Sequence, residues 1–422
     1  MTQLVDVIVG GQYGSEAKGH VTAQLVQTGL RDVVREPHLG IEVWNVRVAG
    51  PNAGHTVYDR HDRKFAFRSL PVGAVVDQSV QLYIAPGSEV DLEVLYAEIA
   101  EAEAAGWNVR GRLWMSKQAT LLEQSHKDEE AAAGLVGRVG STGKGIGAAR
   151  AARIMRTAHT VEEAFSWGPD GDALVQPWQW AEPEDLYATD DHAHNKNQRI
   201  LIEGTQGYGL SLRASGHYPQ TTSSDARAID FLAMAGIDPT RCSVKVTNWV
   251  VARVFPIRVA GNSGAMEGET TWGELGLPEE HTTVTQKVRR VGAWDPELVA
   301  RAVQANGGHN AKVVITMLDQ IFPELGELTD EELNPTGEEG EVQHPVLSKV
   351  MRWLDENASR ETLGAYVAGF TFSPTQMLFT SFAFDDEPAM AHGIAEMDQA
   401  ILQAMQDLFG GQPQAEDEEA GR

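Results

Sequence analysis

The chain carries a single cysteine, Cys242, in 422 residues, so it can form neither an internal disulfide nor a cysteine-based metal cluster. The bland role of a small core residue suits it, and a reducing cytoplasm is the expected location. Positive charge is also scarce. Thirty-four Lys and Arg face 60 Asp and Glu, a formal charge of −26, which disfavours a nucleic-acid backbone or an anionic membrane surface as partner. Any phosphate bound must find a local concentration of basic residues. No run approaches the ~20 apolar residues of a membrane helix, and the start has neither the basic nor the long apolar region of a signal peptide. A soluble, unprocessed protein is expected. Hydrophobic residues at 42% suffice for a core, and the length allows two or three domains or one large α/β domain with insertions.

Strand-like runs alternate with helical stretches: Val5 to Val9, Glu42 to Val48, Leu82 to Ile84, a helix through Leu92, Leu95 and Ile99, then Arg199 to Ile202 and Val313 to Ile315. This alternation predicts an α/β fold with a mostly parallel central sheet covered by helices, ligands lying at the carboxyl ends of the strands. Two stretches read as excursions, Trp167 to Asn197 and the acidic Glu324 to Glu341. The segment 410–422 has no apolar content to bury and reads as a disordered acidic tail.

The first strand opens into Gly10-Gly11-Gln12-Tyr13-Gly14-Ser15-Glu16-Ala17-Lys18-Gly19. Small residues let backbone amides close on phosphate oxygens, a lysine adds a mobile positive charge, and the following helix points its N-terminus at the anion. No GxxxxGK[ST] can be read, so this is not a Walker A loop. A second segment, Arg47 to Thr56 (RVAGPNAGHT), delivers open amides and one titratable group, His55, which alone could equally be a satisfied core histidine. Gly140 to Gly147 (GSTGKGIG), followed by Arg150, Arg153 and Arg156, suits a monophosphate or is merely a solvated helix face. Glu203-Gly204-Thr205-Gln206-Gly207 places a glutamine, both donor and acceptor, at a strand end where it can read a purine edge. Thr221 to Asp225 adds hydroxyls that suit phosphate or simply turns. Thr282 to Gly292 is a basic loop able to clamp a small dicarboxylate through forked hydrogen bonds. Thr316-Met317-Leu318-Asp319 follows a late strand.

In this order, and over almost the whole chain, these segments resemble the adenylosuccinate synthetases. NAGHT, and EGxQG followed by YPxxTSS, are the specific matches. The resemblance implies a single large catalytic domain over 1–409 and a two-step reaction. A γ-phosphoryl passes to O6 of a 6-oxopurine nucleotide, and the amino group of L-aspartate then displaces phosphate. Carried over by position, Ser15, His55 and Gln206 would be catalytic, with His55 donating a hydrogen bond to the charge developing at O6. Ser15, Ala17, Lys18, Gly19, Gly54, His55, Thr56 and Asp319 would bind the nucleoside triphosphate. Ser15, Asn52, Ala53, Thr142, Arg156, Gln206 and Thr222 would bind the purine monophosphate, Arg156 (or Arg153) reaching across a homodimer. Thr285, Lys287, Arg289 and Arg290 would bind aspartate, and Ser15 with the Gly54 carbonyl would face Mg²⁺.

The departures carry further expectations. The family's GDEGKGK has an aspartate, the general base and a magnesium ligand, where this chain has Ser15; a hydroxyl is a poor base. A shorter neutral side chain there leaves room for the 2-amino group of guanine. This resembles the phage 2-aminoadenylosuccinate synthetases, which condense dGMP with L-aspartate and would work in a host cytoplasm. An alanine, Ala17, replaces a glycine of the same loop. The lysine of the family's TKLD is Met317, Asp319 is kept, and Gly369 to Met377 rebuilds the guanine wall with aromatics. The expected phosphoryl donor is therefore ATP or dATP. The alternatives are an ordinary adenylosuccinate synthetase using IMP and GTP, or a nucleotide-binding pseudoenzyme.

Overall fold

The computed structural model describes residues 3–35, 41–166, 178–183, 197–241, 244–281, 287–328 and 345–380. Cys242, Thr285, the tail 410–422 and most of the two excursions lie outside the described residues. Of the excursions, Gln179–Trp180 forms a short strand and Pro323–Glu327 a 3₁₀ turn.

Ten strands build one sheet. In chain order they are β1 (Gln3–Gly10), β2 (Glu42–Arg47), β3 (Gln81–Ile84), β4 (Leu113–Met115), β5 (Gln179–Trp180), β6 (Gln198–Glu203), β7 (Val244–Arg253), β8 (Lys312–Thr316), β9 (Val367–Thr371) and β10 (Met377–Phe379). Across the sheet they run β10-β9-β8-β7-β1-β6-β2-β3-β4-β5. All neighbours pair in parallel except β9 and β10, so the expected α/β architecture holds. β1 lies between β6 and β7, with Val5 opposite both Ile200 and Val246.

The central strands are buried on both faces, which is why they read as continuous apolar runs. Alternate residues serve opposite layers. Val5, Val7 and Val9 pack with Ile200 and Ile202 under the helices Ala228–Ala235, Pro296–Ala305 and Pro345–Ala358. Ile8, Leu201, Trp249 and Val251 face the other way, against Val21, Leu25 and Val26 of helix α1 (Lys18–Arg35). The chain leaves β1, builds the sheet outward to β5, returns to β6 beside β1, and then crosses to β7. That reversal opens a crevice at the carboxyl ends of β1 and β6, the usual ligand position in such sheets.

Candidate active site

The first, second, fourth and last of the expected segments leave the carboxyl ends of β1, β2, β6 and β8, and the third lies at the start of the helix Ile146–Met155. Packing at glycines shows how closely they meet. A Cβ on Gly19, in the first turn of α1, would come within 2.8 Å of the His55 Cβ, and one on Gly10 would come within 2.6 Å of the Gln206 carbonyl oxygen. The third and fourth segments meet as well. Arg150, on helix α2 (Ile146–Met155), donates to the Ser223 hydroxyl at 3.4 Å.

The first loop is wound around a buried carboxylate. Glu16 Oε1 accepts from the amides of Gln12 (3.2 Å) and Gly14 (2.7 Å), while Oε2 accepts from Lys18 Nζ at 2.6 Å. The Thr316 hydroxyl donates to the Glu16 carbonyl at 3.1 Å, fastening the end of β8 to the same loop. Lys18 is therefore not the mobile charge expected from sequence. It is buried and ion-paired, and it keeps two further N–H donors for a phosphate.

His55 is held by Glu203, a carboxylate whose motif was read from sequence but which was given no role there. Its Nδ1 lies 2.8 Å from Glu203 Oε2, which also accepts from Arg47 at 2.8 Å, while Glu203 Oε1 accepts from the Val72 amide at 2.7 Å. The same Nδ1 lies 2.5 Å from Arg47 Nη1, so it faces both an acceptor, Glu203, and a donor, the guanidinium. Burial and the nearby Arg47 guanidinium push the imidazole pKa down to about 3. Its ring is neutral in the free protein, with one nitrogen protonated and the other a lone pair.

A second buried imidazole flanks the loop. His20, bonded through its ring to the Gln376 backbone, leaves Nε2 buried without a partner, and burial lowers its pKa to about 4. Both folded values lie below the 6.5 of an unperturbed histidine. Near pH 5 the unfolded chain therefore binds about two protons that the folded chain excludes. Stability is expected to fall as pH drops from 7 toward 4, these two groups contributing up to about 2.7 kcal/mol per pH unit. Urea unfolding at a series of pH values measures the slope, and His20→Asn should remove about half of this contribution. A slope unaltered in that variant would exclude His20.

Ser15 is exposed, and its hydroxyl accepts from Arg289 Nη1 at 2.7 Å. Arg289 takes one lone pair of that oxygen and leaves the second for the expected magnesium role. Gly54 lies exposed and its carbonyl fits that role. Among the described residues no group of three or more His, Cys, Asp or Glu gathers to hold a metal. One protein carbonyl with phosphate oxygens and water suits Mg²⁺. Of the remaining triphosphate candidates, Thr56 is exposed beside His55, and Asp319 is half-buried on the turn Leu318–Gln320. Burial raises the Asp319 carboxyl pKa, with Arg253 acting in the opposite sense. The expected aromatic wall is corrected: Phe370 and Phe372 are core residues, and the exposed part of that segment is the turn at Pro374 and Thr375.

At the monophosphate end, Asn52, Ala53 and Thr222 are half-buried and Thr142 is exposed. Glu130 anchors the third loop, accepting from the Gly145 amide and from the Ser141 hydroxyl. The three arginines of this region differ. Arg150 is paired with Glu89 at 2.7 Å and Arg153 donates to Gln118 at 3.3 Å, whereas Arg156 stands exposed at the end of α2. In the aspartate loop Lys287 is exposed and Arg289 faces Ser15. Arg290 is committed elsewhere, to Glu269 at 2.6 Å, Ser263 at 3.0 Å and the Gly264 carbonyl at 2.7 Å, which corrects its expected role in binding aspartate.

Four non-glycine residues at these strand ends adopt left-handed backbone: Ser15 (φ 59°), Ala17 (φ 63°), Gln206 (φ 61°) and Met317 (φ 64°). Such conformations cost about 1–3 kcal/mol each and cluster at functional sites.

A glycine-lysine loop at a helix N-terminus, beside a histidine oriented by a buried carboxylate, defines a nucleotide-dependent phosphoryl-transfer enzyme on a parallel α/β sheet. The adenylosuccinate synthetase family model matches residues 7–171 and 184–328. The chain belongs to that family and is a C–N bond-forming ligase. It is 33% identical over 331 residues to the adenylosuccinate synthetase of Thermococcus sibiricus, covering 77% of this chain and 86% of the relative. The Pyrococcus horikoshii enzyme is 34% identical over 328 residues, with the same two coverages. Among solved structures, the cyanophage S-2L succinoaminodeoxyadenylate synthetase (PurZ), bound to dGMP and dATP as an energy donor, matches with a TM-score of 0.66 and 26% identity. That match covers 93% of this chain and all of the other. The fully ligated Plasmodium falciparum adenylosuccinate synthetase matches in fold, with a TM-score of 0.64 and 20% identity over 89% of this chain and 99% of the other.

Proposed function

We propose that this ligase condenses dGMP with L-aspartate, driven by ATP or dATP through a 6-phosphoryl purine, to give N6-succino-2-amino-2′-deoxyadenylate. The observation that carries this reading is Ser15, whose short neutral side chain makes room for a 2-amino group beside N1. The likeness to a cyanophage enzyme bound to dGMP and dATP supports it. In this reading Lys18 and the Gly19 amide hold the triphosphate, and Gln206 orients the 6-oxo group. Asn52, Thr142 and Thr222 take the 5′-phosphate. The 33% identity to adenylosuccinate synthetases favours a second reading, IMP with GTP. Phosphate release with L-aspartate and Mg²⁺, crossing dGMP, GMP and IMP against ATP, dATP and GTP, separates the two. Turnover confined to dGMP with adenine nucleotides supports the first, turnover with IMP and GTP establishes the second, and binding without turnover returns the pseudoenzyme.

The same reading includes a homodimer sharing Arg156. Ile154 and Met155, exposed at 73% and 71% beside it, form an apolar flank suited to a second copy. Arg156→Leu is expected to raise KM for the purine monophosphate at least tenfold while the dimer persists in sedimentation. An unchanged KM would remove Arg156 from the site.

A further inference from the structure

The reaction needs the purine N1 to lose its proton before O6 can act as a nucleophile, and the residue beside N1 in the reading above is a serine. We infer that Ser15 and Arg289 together stabilise the N1-deprotonated form of the bound 6-oxopurine, presenting a hydrogen-bond donor backed by a positive charge instead of a general base. The inference rests on the placement of Ser15 at the N1 edge.

Three observations carry it. Arg289 Nη1 donates into the Ser15 oxygen at 2.7 Å, so one lone pair of that oxygen is occupied and the hydroxyl proton is free to point outward. The Arg289 guanidinium makes no ion pair among the described residues, and its Nε is buried without a hydrogen-bond partner. Glu280, whose charge acts on Arg289, also grips Arg253 through both oxygens, at 2.5 and 3.2 Å. Ser15 also adopts a left-handed backbone conformation, φ 59°. The result is a cation that shares the Glu280 carboxylate with Arg253 and acts through a hydroxyl.

The chemistry balances without a protein base. The N1–H bond breaks, its electron pair stays on the ring and is shared with O6, and the proton passes to solvent water. O6 then attacks the γ-phosphorus, and the bond from that phosphorus to the β,γ-bridging oxygen breaks as the nucleoside diphosphate leaves. A positive group within about 4–6 Å lowers the pKa of a neighbouring acid by about 1–3 units. Ser15 donating to an N1 anion would put Arg289 within that range.

The test is a titration of bound substrate, with no triphosphate present. N1 of dGMP bound to the full chain is followed by ultraviolet difference spectroscopy from pH 6 to 10, with IMP as a parallel probe and the dissociation constant measured for each. The bound N1 is expected to titrate about 1–3 units below the free nucleotide. Arg289→Met and Ser15→Ala should each abolish most of the shift, and Arg289→Lys should keep part of it. A bound N1 that titrates like free nucleotide overturns the inference alone, as does a full shift surviving in Arg289→Met or Ser15→Ala. A shift seen with IMP and no binding of dGMP overturns the substrate reading and leaves the inference standing. Binding of neither nucleotide overturns both.

Discussion

His55→Asn is expected to lower turnover by about 10²–10⁴-fold, the usual contribution of a positioned acid–base group, with nucleotide affinity close to wild type. The effect traces to Glu203. In the free protein the imidazole is neutral and its Nδ1 is engaged by that carboxylate and by the Arg47 guanidinium, which leaves Nε2 as the ring nitrogen for substrate. Arriving phosphates reverse the local charge that keeps the ring unprotonated, and a proton gained at Nε2 then becomes a donor to the transferring group. Asparagine keeps a donor for Glu203 but has no second ring nitrogen to carry that proton. The variant therefore separates chemistry from folding better than Glu203→Gln, which would weaken the pairing of the buried Arg47 guanidinium. Phosphate release and equilibrium dialysis on the same preparation give both quantities. A variant that binds and turns over like wild type would leave His55 a core residue.

Glu16→Ala should destabilise the fold by about 3–5 kcal/mol, because it strands the Lys18 ammonium inside the protein. It also frees the two amides that the carboxylate gathers, so the phosphate loop loses the group around which it is wound. Nucleoside triphosphate binding is expected to vanish before the global fold does. Glu16→Gln is the control, since an amide oxygen still accepts from Gly14 while the ion pair is lost. Urea unfolding reports the first effect and a fluorescent nucleotide the second. An alanine variant as stable as wild type would mean that the loop holds its own shape.

The sheet was readable because its strands are buried on both faces, and Val5 to Val9, Ile200 to Ile202 and Val313 to Ile315 stand out as apolar runs. β7 escaped notice although it lies beside β1, since its first half, Lys245 to Asn248, mixes polar residues into a partly exposed stretch. The loops were readable by composition: glycines, a lysine and hydroxyls at strand ends. Their wiring was not. Nothing near His55 announces Glu203, 148 positions away, and Arg290 looks as available as Arg289 until Glu269 is seen to hold it. The aromatics at 370 and 372 were misread because a ring in sequence does not reveal which side of a strand it occupies.

The left-handed residues at the strand ends set a limit on what selection for heat resistance can do here. Glycine at 15, 17, 206 or 317 would relieve about 1–2 kcal/mol of backbone strain at each position, less what its flexibility costs in the unfolded chain. At position 17 the family motif already has that glycine, so Ala17→Gly offers the relief at little risk. At 15 and 206 the same exchange erases the hydroxyl and the amide to which the proposed function assigns substrate choice. A screen rewarding only survival on heating would therefore favour a sturdier protein that no longer tells one purine from another.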